Sequence, residues 1–494
     1  MSEEIIFSRP NATAARLGDL APDRHIFINK KILLTGETVI LMTANGRVCL
    51  ISSFLLLHRI SKGVEVYLPA DVPADLRREC EQLVNKFSRN SSITLLAKQP
   101  VYASYDAVLS VGSSASASPN WTVINSNGWL VRISSGSANI SADTDQYNPI
   151  AALAAACLGV TEVFKRLIGL KESRGELLGS LTFSLYSYKV GDFDPGPPLP
   201  PIIEADLLLT GVGAIGNGII YLLSHLPLTG SVRVVDYQKY GPENIGTCLL
   251  ISEAELEEDK ALFAEAYLGS RLAKGYAEDI QIFSKRLGTE IPYPKIVLNG
   301  LDDIDARHIV QDLWPDMIID GAIGDFAAQV SCHPWYQNTA CLKCLFQKPA
   351  GEASEIIGGR ATGLHPERIR NENDVVNDQD VLNAPEAMKS WLQERKGQKI
   401  CSIVQEGIIR QLSNGASRKD FEPSVPFVAC LSASMVVAEL IKYIHGWDSP
   451  VECRYQLDVL TGPERGDFFP QDRRKDCVCV TRRRNIEIVR KGRG

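Results

Sequence analysis

Short apolar runs alternate along this chain with longer stretches whose apolar residues recur at helical spacing. Val64–Leu68, Ala107–Val111 and Trp121–Ile124 read as strands in the first part. Asp206–Leu209, Val232–Val235, Ile296–Asn299 and Met317–Ile319 read as strands in the second. Strands separated by helical patterns predict an α/β architecture with a largely parallel sheet, because parallel neighbours need a crossover between them. The stretch Gly191-Asp-Phe-Asp-Pro-Gly-Pro-Pro-Leu-Pro-Pro201 interrupts the pattern. Its prolines have no amide to give to a ladder, so it reads as a linker between two halves.

The halves share a segment. Pro149-Ile-Ala-Ala-Leu-Ala-Ala-Ala-Cys-Leu-Gly-Val-Thr-Glu-Val-Phe-Lys165 lies over Pro426-Phe-Val-Ala-Cys-Leu-Ser-Ala-Ser-Met-Val-Val-Ala-Glu-Leu-Ile-Lys442, with Pro, Ala, Ala, Val, Glu and Lys at the same offsets. Strand-like runs come after both, Leu181–Tyr186 and Arg454–Leu460. The pattern predicts a duplicated plan. These are the longest apolar helical stretches, and they carry Glu162 and Glu439. They are therefore expected to be buried core helices; no run is expected to supply the ~18 apolar residues of a membrane span.

At 494 residues the chain is long enough for two or three domains. Hydrophobic residues at 45% and charged residues at 22% give the balance of a soluble globular enzyme. A net charge of -7 argues against nucleic acid or an anionic membrane as a partner. The basic residues Arg482 to Arg484, Lys491 and Arg493 read as a solvated tail. No secretion signal is evident, and the 12 cysteines fit a reducing cytoplasm, where they are buried, metal-bound or catalytic.

Chemistry enters at Ala205-Asp-Leu-Leu-Leu-Thr-Gly-Val-Gly-Ala-Ile-Gly216, a buried strand, a Gly-x-Gly-x-x-Gly turn and the start of a helix. Gly211 permits the tight turn, Gly213 lets a phosphate approach the backbone, and Gly216 lets the helix pack on the sheet. The helix start offers free amides and a positive dipole end to an anion. Val232-Arg-Val-Val-Asp236 then ends a second strand on an acid placed for a ribose hydroxyl. These features alone fit NAD as well as ATP. The first half has no such turn.

Asp236-Tyr-Gln-Lys-Tyr-Gly-Pro-Glu-Asn-Ile245 is similar to the Asp-x-Asp-x-Val-x-x-Ser-Asn-Leu motif of the ThiF/MoeB/ubiquitin-activating superfamily, with Asp236 and Asn244 on matching positions. The superfamily's Lys-Ala pair falls on Lys260-Ala261, and its Asp-Asn-x-x-x-Arg segment on Leu301-Asp-Asp-Ile-Asp-Ala-Arg307. The run from Ile319 through Thr339-Ala-Cys-Leu-Lys-Cys-Leu-Phe346 matches the stretch ending in its Cys-x-x-Cys. The resemblance implies two Rossmann-like adenylation domains as a pseudo-dimer in one chain, the N-terminal one inactive. Its boundaries are 1–190, a linker at 191–201, 202–350 for the first part of the active domain and 425–494 for the rest. A small helical catalytic-cysteine insertion occupies 351–424.

It also implies ATP and Mg²⁺ as cofactors. Lys260 would contact the phosphates and Asp302 would hold Mg²⁺, with Asp303 as a spare; Asp320 reads as a turn cap. The implied partners are a ubiquitin-like protein with a C-terminal glycine and a conjugating enzyme. The single-chain architecture looks like the activating enzymes of bacterial Bil-type antiphage conjugation systems. Three departures stand out: Gln238 and Glu243 replace an acid and a serine, and Thr247 replaces an arginine. Related pseudo-dimers borrow an arginine from the N-terminal segment of the inactive half, which points to Arg9 or Arg16.

Cys341-x-x-Cys344 has the spacing of a zinc half-site, which Cys477-x-Cys479 would close with four thiolates. Cys401, near Lys396 and Lys399 and an expected helix start, is the candidate nucleophile, with a buried structural thiol as the alternative. Rival readings are a sulfur-carrier adenylase that makes no thioester, an NAD-dependent oxidoreductase, and a catalytically weak scaffold.

Overall fold

The computed structural model describes residues 30–493 apart from 88–92, 117, 173, 325, 348–353, 371–373, 401, 405 and 408–424. Arg9, Arg16 and Cys401 therefore lie outside the described residues.

The first half contains β1 (Lys31–Gly36), α1 (Ala44–Ile60), β2 (Gly63–Tyr67), α2 (Ala74–Phe87), β3 (Thr94–Leu96), β4 (Ala107–Val111), β5 (Trp121–Asn127), β6 (Leu130–Ser134), α3 (Pro149–Ile168) and β7 (Leu181–Ser184). The second contains β8 (Ile203–Thr210), α4 (Ala214–His225), β9 (Leu228–Val235), α5 (Lys260–Leu268), β10 (Ala273–Tyr276), β11 (Ile296–Asn299), α6 (Ile304–Asp312), β12 (Met317–Gly324) and β13 (Ala327–Pro334). It closes with α7 (Pro426–His445), β14 (Arg454–Asp458), β15 (Asp467–Phe469) and α8 (Arg483–Lys491).

Each half carries one sheet, ordered β3-β2-β1-β4-β5-β6-β7 and β10-β9-β8-β11-β12-β13-β14-β15. In both, the first five strands run parallel and the rest antiparallel. The strand order reverses between β1 and β4, and again between β8 and β11. Such reversals open a crevice at the carboxyl ends of the strands.

Between the sheets lie α1, α3, α4 and α7, and their buried residues join the inner faces of both sheets in one continuous core. The helices α3 and α7 pack on each other. Each is 20 residues long, begins on a proline at its first turn and stops at a left-handed glycine, Gly169 or Gly446. Proline suits a helix start, where its missing amide would be unpaired anyway, and glycine takes the left-handed stop without strain. Each also buries a Glu–Lys pair, Glu162–Lys165 at 2.6 Å and Glu439–Lys442 at 2.7 Å. A buried charge is costly unless it is paired and hydrogen-bonded. The glutamates meet that need by holding the chain beyond the helix: Glu162 accepts from the Leu178 amide at 2.7 Å, and Glu439 accepts from the Ser449 hydroxyl.

By length and composition α7 is apolar enough to cross a membrane, contrary to the expectation that no run would be, and 89% of that span is buried in the fold. The C-terminal basic residues lie on or beside a docked helix, with Arg482, Arg484 and Lys491 exposed and Arg483 and Arg493 partly covered. The helix α8 docks on the second half, where Arg490 pairs with Asp316 at 2.5 Å and Arg483 and Arg490 stack on Trp335. The strand β12 runs past the expected end at Ile319 because β13 folds back on it, pairing Asp320 with Ser331. Within the expected insertion, Leu364, Ile369, Val376, Trp391, Leu392, Ile400 and Ile403 form a separate small core.

Candidate functional site

The crevice of the second half opens where β8 delivers Thr210 to the glycine turn. Gly211 takes φ +83°, a conformation costly for any residue with a Cβ. A Cβ on Gly216 would lie 2.1 Å from the Gly211 carbonyl oxygen, so only glycine lets α4 begin against the turn. Around Gly213 a Cβ would meet nothing within 4 Å. Gly213 is the N-cap of α4, so the helix head, whose first amides have no partner within the helix, begins beside this open space.

Asp236 comes directly after β9 and is buried. Its carboxylate accepts from the Val212 amide at 2.7 Å and the Gln238 amide at 2.8 Å, which ties the turn to the second strand. Burial pushes its pKa above the ordinary carboxylate value. Lys260 and the two amides oppose that rise, and the charge of Asp302 adds to it. Lys260 begins α5 and is buried, with Nζ donating to Gln238 Oε1 at 2.7 Å and lying 5.8 Å from the Tyr240 ring centre. Gln238, which stands at an acid position of the resemblance, thus holds the lysine without neutralising it.

Asn244 lies in the helical turn Pro242–Ile245, its Oδ1 accepting from the Gly241 amide at 2.9 Å. Thr247, at the arginine position of the resemblance, is buried and bonds the Glu243 carbonyl at 3.4 Å. Asp302 is exposed just beyond β11, and its carboxylate makes no hydrogen bond among the described residues, which leaves it open to a cation. Asp303 caps α6, accepting from the Ala306 amide at 2.7 Å through one carboxylate oxygen. The turn, Asp236, Lys260 and Asp302 therefore share one crevice. Beside it, Ser402, the residue after position 401, donates to Glu243 Oε2 at 3.3 Å. Lys396 is salt-bridged to Asp378 at 2.5 Å.

Two organising features have no signature in the sequence. Asn217 of α4 donates to the Val212 carbonyl and to the Tyr240 hydroxyl, both at 3.0 Å, and accepts from the Leu250 amide at 3.2 Å. Asp320 does not cap a turn but sits fully buried in β12. It accepts from Asn299 at 2.5 Å and pairs with Arg307 at 3.2 Å, while Thr210 donates to Asn299 at 2.5 Å. A polar row thus crosses β8, β11 and β12 under the turn. An asparagine in a helix and an aspartate after an apolar run give no sign of partners so far away.

Among the described residues, the first half shows none of this equipment at the corresponding positions. With Gly36 laid on Gly211, the paired registers put Leu68 at the place of Asp236, Ser113 at that of Asp302 and Val123 at that of Asp320. Glu37 comes after Gly36 and accepts from Ser113 Oγ at 2.9 Å and the Ser114 amide at 2.7 Å, so a carboxylate fills the crevice. Burial pushes Glu37 up, but these hydrogen bonds outweigh it and leave the carboxyl below its ordinary value.

Away from the crevice, Cys341, Cys344, Cys477 and Cys479 are buried, with their sulfurs all within 4.8 Å of one another. The separations are 3.7 Å for Cys341–Cys344 and Cys341–Cys477 and 3.6 Å for Cys344–Cys479. Four thiolates about 2.3 Å from a tetrahedral zinc ion would lie about 3.8 Å apart. The single residue between Cys477 and Cys479 is accommodated because that pair begins a helical turn at Val478–Thr481. The Arg474 amide also points at the Cys344 sulfur, 3.3 Å away.

A fold with two sheets of this order, and one crevice lined by a glycine turn, an acid and a lysine, fits a nucleotide-binding Rossmann-like protein. The ThiF family model matches residues 200–479, more than half of the chain, and the chain belongs to that family. The BilD N-terminal domain model matches residues 32–179. The chain is 26% identical over 382 residues to an uncharacterized protein, y4jF, of Sinorhizobium fredii (strain NBRC 101917 / NGR234), covering 72% of each. It is 24% identical over 191 residues to the bacterial E1-like protein BilD of Collimonas sp. (strain OK412), covering 37% of this chain and 40% of that relative. Among solved structures, E. coli MccB with ATP is 16% identical, covers 56% of this chain and 67% of its own, and has a TM-score of 0.34.

Proposed function

We propose that the chain is an activating enzyme for a ubiquitin-like protein. The observation that carries this reading is the single crevice in which the open glycine turn, Asp236, Lys260 and Asp302 converge, within the segment that matches the ThiF family. The C-terminal carboxylate of the partner attacks the α-phosphorus of ATP, pyrophosphate leaves, and an acyl-adenylate forms. The amides at the head of α4 and the Lys260 ammonium stabilise the charge that builds on the phosphates, from positions fixed before the reaction. Asp236 holds the ribose, Asn244 lines the nucleotide, and Mg²⁺ held by Asp302 would neutralise phosphate oxygens.

In the second step the Cys401 thiolate attacks the acyl carbonyl and AMP leaves, giving a thioester that passes to the thiol of a conjugating enzyme. The Ser402–Glu243 contact supports this, since Ser402 itself lies against the loop that contains Asn244. The BilD matches support a ubiquitin-like partner within a bacterial Bil-type system. We infer in addition that the two halves form a pseudo-dimer with an inactive first half. The shared strand order, the paired helices α3 and α7, and Leu68, Ser113 and Val123 at the acid positions support that reading.

The test is the intact mass of the protein after incubation with MgATP and a candidate ubiquitin-like protein, without reducing agent. A thiol-labile adduct that is lost in Cys401→Ala is the expected result. AMP without an adduct would show a sulfur-carrier type of adenylation, and neither product would refute activation altogether.

A further inference from the structure

Near the end of α1, one side chain leaves its own half. Arg59 is fully buried, and its Nε donates to the Cys248 carbonyl at 2.9 Å and its Nη2 to the Ile251 carbonyl at 3.0 Å. Nη1 turns back to the Leu55 carbonyl and to His58. Among the described residues no carboxylate lies within ion-pairing distance of this guanidinium. Burial accordingly pushes its pKa down to about 10. Burying a cation on main-chain carbonyls, the neutral His58 and the Phe87 ring, 5.4 Å away, is an expensive way to fasten two elements, and a hydrophobic contact would do so at less cost. What it adds is direction, because the planar fork fixes two carbonyls at once. A second grip comes from α2, where Lys86 pairs with Glu255 at 2.8 Å.

Both grips fall on the loop 246–259, whose ends are Asn244 with its helical turn and Lys260 at the head of α5. The position of that loop decides where both side chains stand relative to the glycine turn. Arg307 and Asp320 organise the opposite wall.

We propose that the first half completes the nucleotide site of the second by holding loop 246–259 through Arg59, with Lys86 assisting. This makes Arg59 a positioning residue for Asn244 and Lys260, and it rests on the nucleotide reading above. Arg59 touches no nucleotide. It acts by setting the distance between the loop and the turn, so its loss lowers affinity for MgATP through misplacement of the ligands.

The test compares Arg59→Lys and Arg59→Met with wild type in the full chain, measuring amide hydrogen exchange over 246–259, MgATP affinity and thermal melting. Lysine keeps the charge but cannot span both carbonyls, so both variants are expected to exchange faster in the loop and to bind MgATP about tenfold more weakly. If Arg59→Met fails to fold, Lys86→Met, at a side chain 40% exposed, still tests the grip, with a smaller loss of affinity and faster exchange around Glu255. Loop protection at the wild-type level, or affinity within about twofold of wild type despite a lower melting temperature, would overturn the proposal. If wild type itself binds no MgATP, the nucleotide reading fails and the positioning role falls with it; unchanged or faster loop exchange then tells only whether Arg59 fastens the two halves.

Discussion

His58 stacks on Phe87 with ring centres 4.4 Å apart and receives a hydrogen bond from Arg59. Burial first, and the Arg59 charge second, push its pKa well below 6.5, so it is neutral in the folded protein. In the unfolded chain it titrates near 6.5. Acid therefore protonates only the unfolded state, and the contribution of His58 to stability falls as pH drops below about 6.5, by up to about 1.4 kcal/mol per pH unit. Asp236 acts in the opposite sense: its raised pKa gives stability below the ordinary carboxylate value that is lost as pH rises through the folded one. Urea titrations of wild type and His58→Gln between pH 7 and 5 separate the two, and the variant is expected to lose less stability on acidification. At this scale the motif residues Gly211, Asp236, Lys260 and Asp302 were legible, because their type and spacing are fixed by the chemistry. Arg59, Asn217 and Asp320 were not, because each is explained by partners far away in the chain.

The three turn glycines have different tasks, and the elements they join allow the tasks to be separated. Gly216→Ala would force a Cβ to 2.1 Å from a backbone oxygen, so α4 must move off the turn. A loss of about 2 kcal/mol or more in unfolding free energy is expected. Gly213→Ala meets no atom and is expected to keep stability within about 0.5 kcal/mol, yet to weaken MgATP binding by about tenfold because the methyl occupies the anion's approach. Melting and nucleotide titration of the pair check this, and equal effects on both readouts would contradict it. Among elements, α3 and α7 were plain in the sequence, since Pro, Glu and Lys recur at fixed offsets. The strands β1, β3, β6, β10, β13 and β15 have no such signature. Short runs buried in a sheet lack a period of their own, and β6 and β13 exist as antiparallel returns along β5 and β12.

For the whole molecule, the four-cysteine cluster ties the segment after β13 to that before α8 across more than a hundred residues. Zinc there would fasten the second half as a cross-link. Metal analysis is expected to find one zinc ion per chain, lost in Cys479→Ala along with a lower melting temperature; pure, stable protein without zinc would rule the site out. The apolar core runs through both halves without a break, so neither half is expected to hold its present form by packing alone.

The sequence by itself determined the α/β class, the two long core helices, the glycine turn and the family, because these depend on local periodicity and on residue types at short spacings. Tertiary structure alone decided the rest. It showed which acid is free and which caps a helix, that a carboxylate occupies the crevice of the first half, and that the basic C-terminal run is a docked helix. It also showed that an arginine of one half bonds two main-chain carbonyls in a loop of the other. Each of these depends on distances between residues remote in the chain, and on the cost of burying charge that only a folded interior imposes.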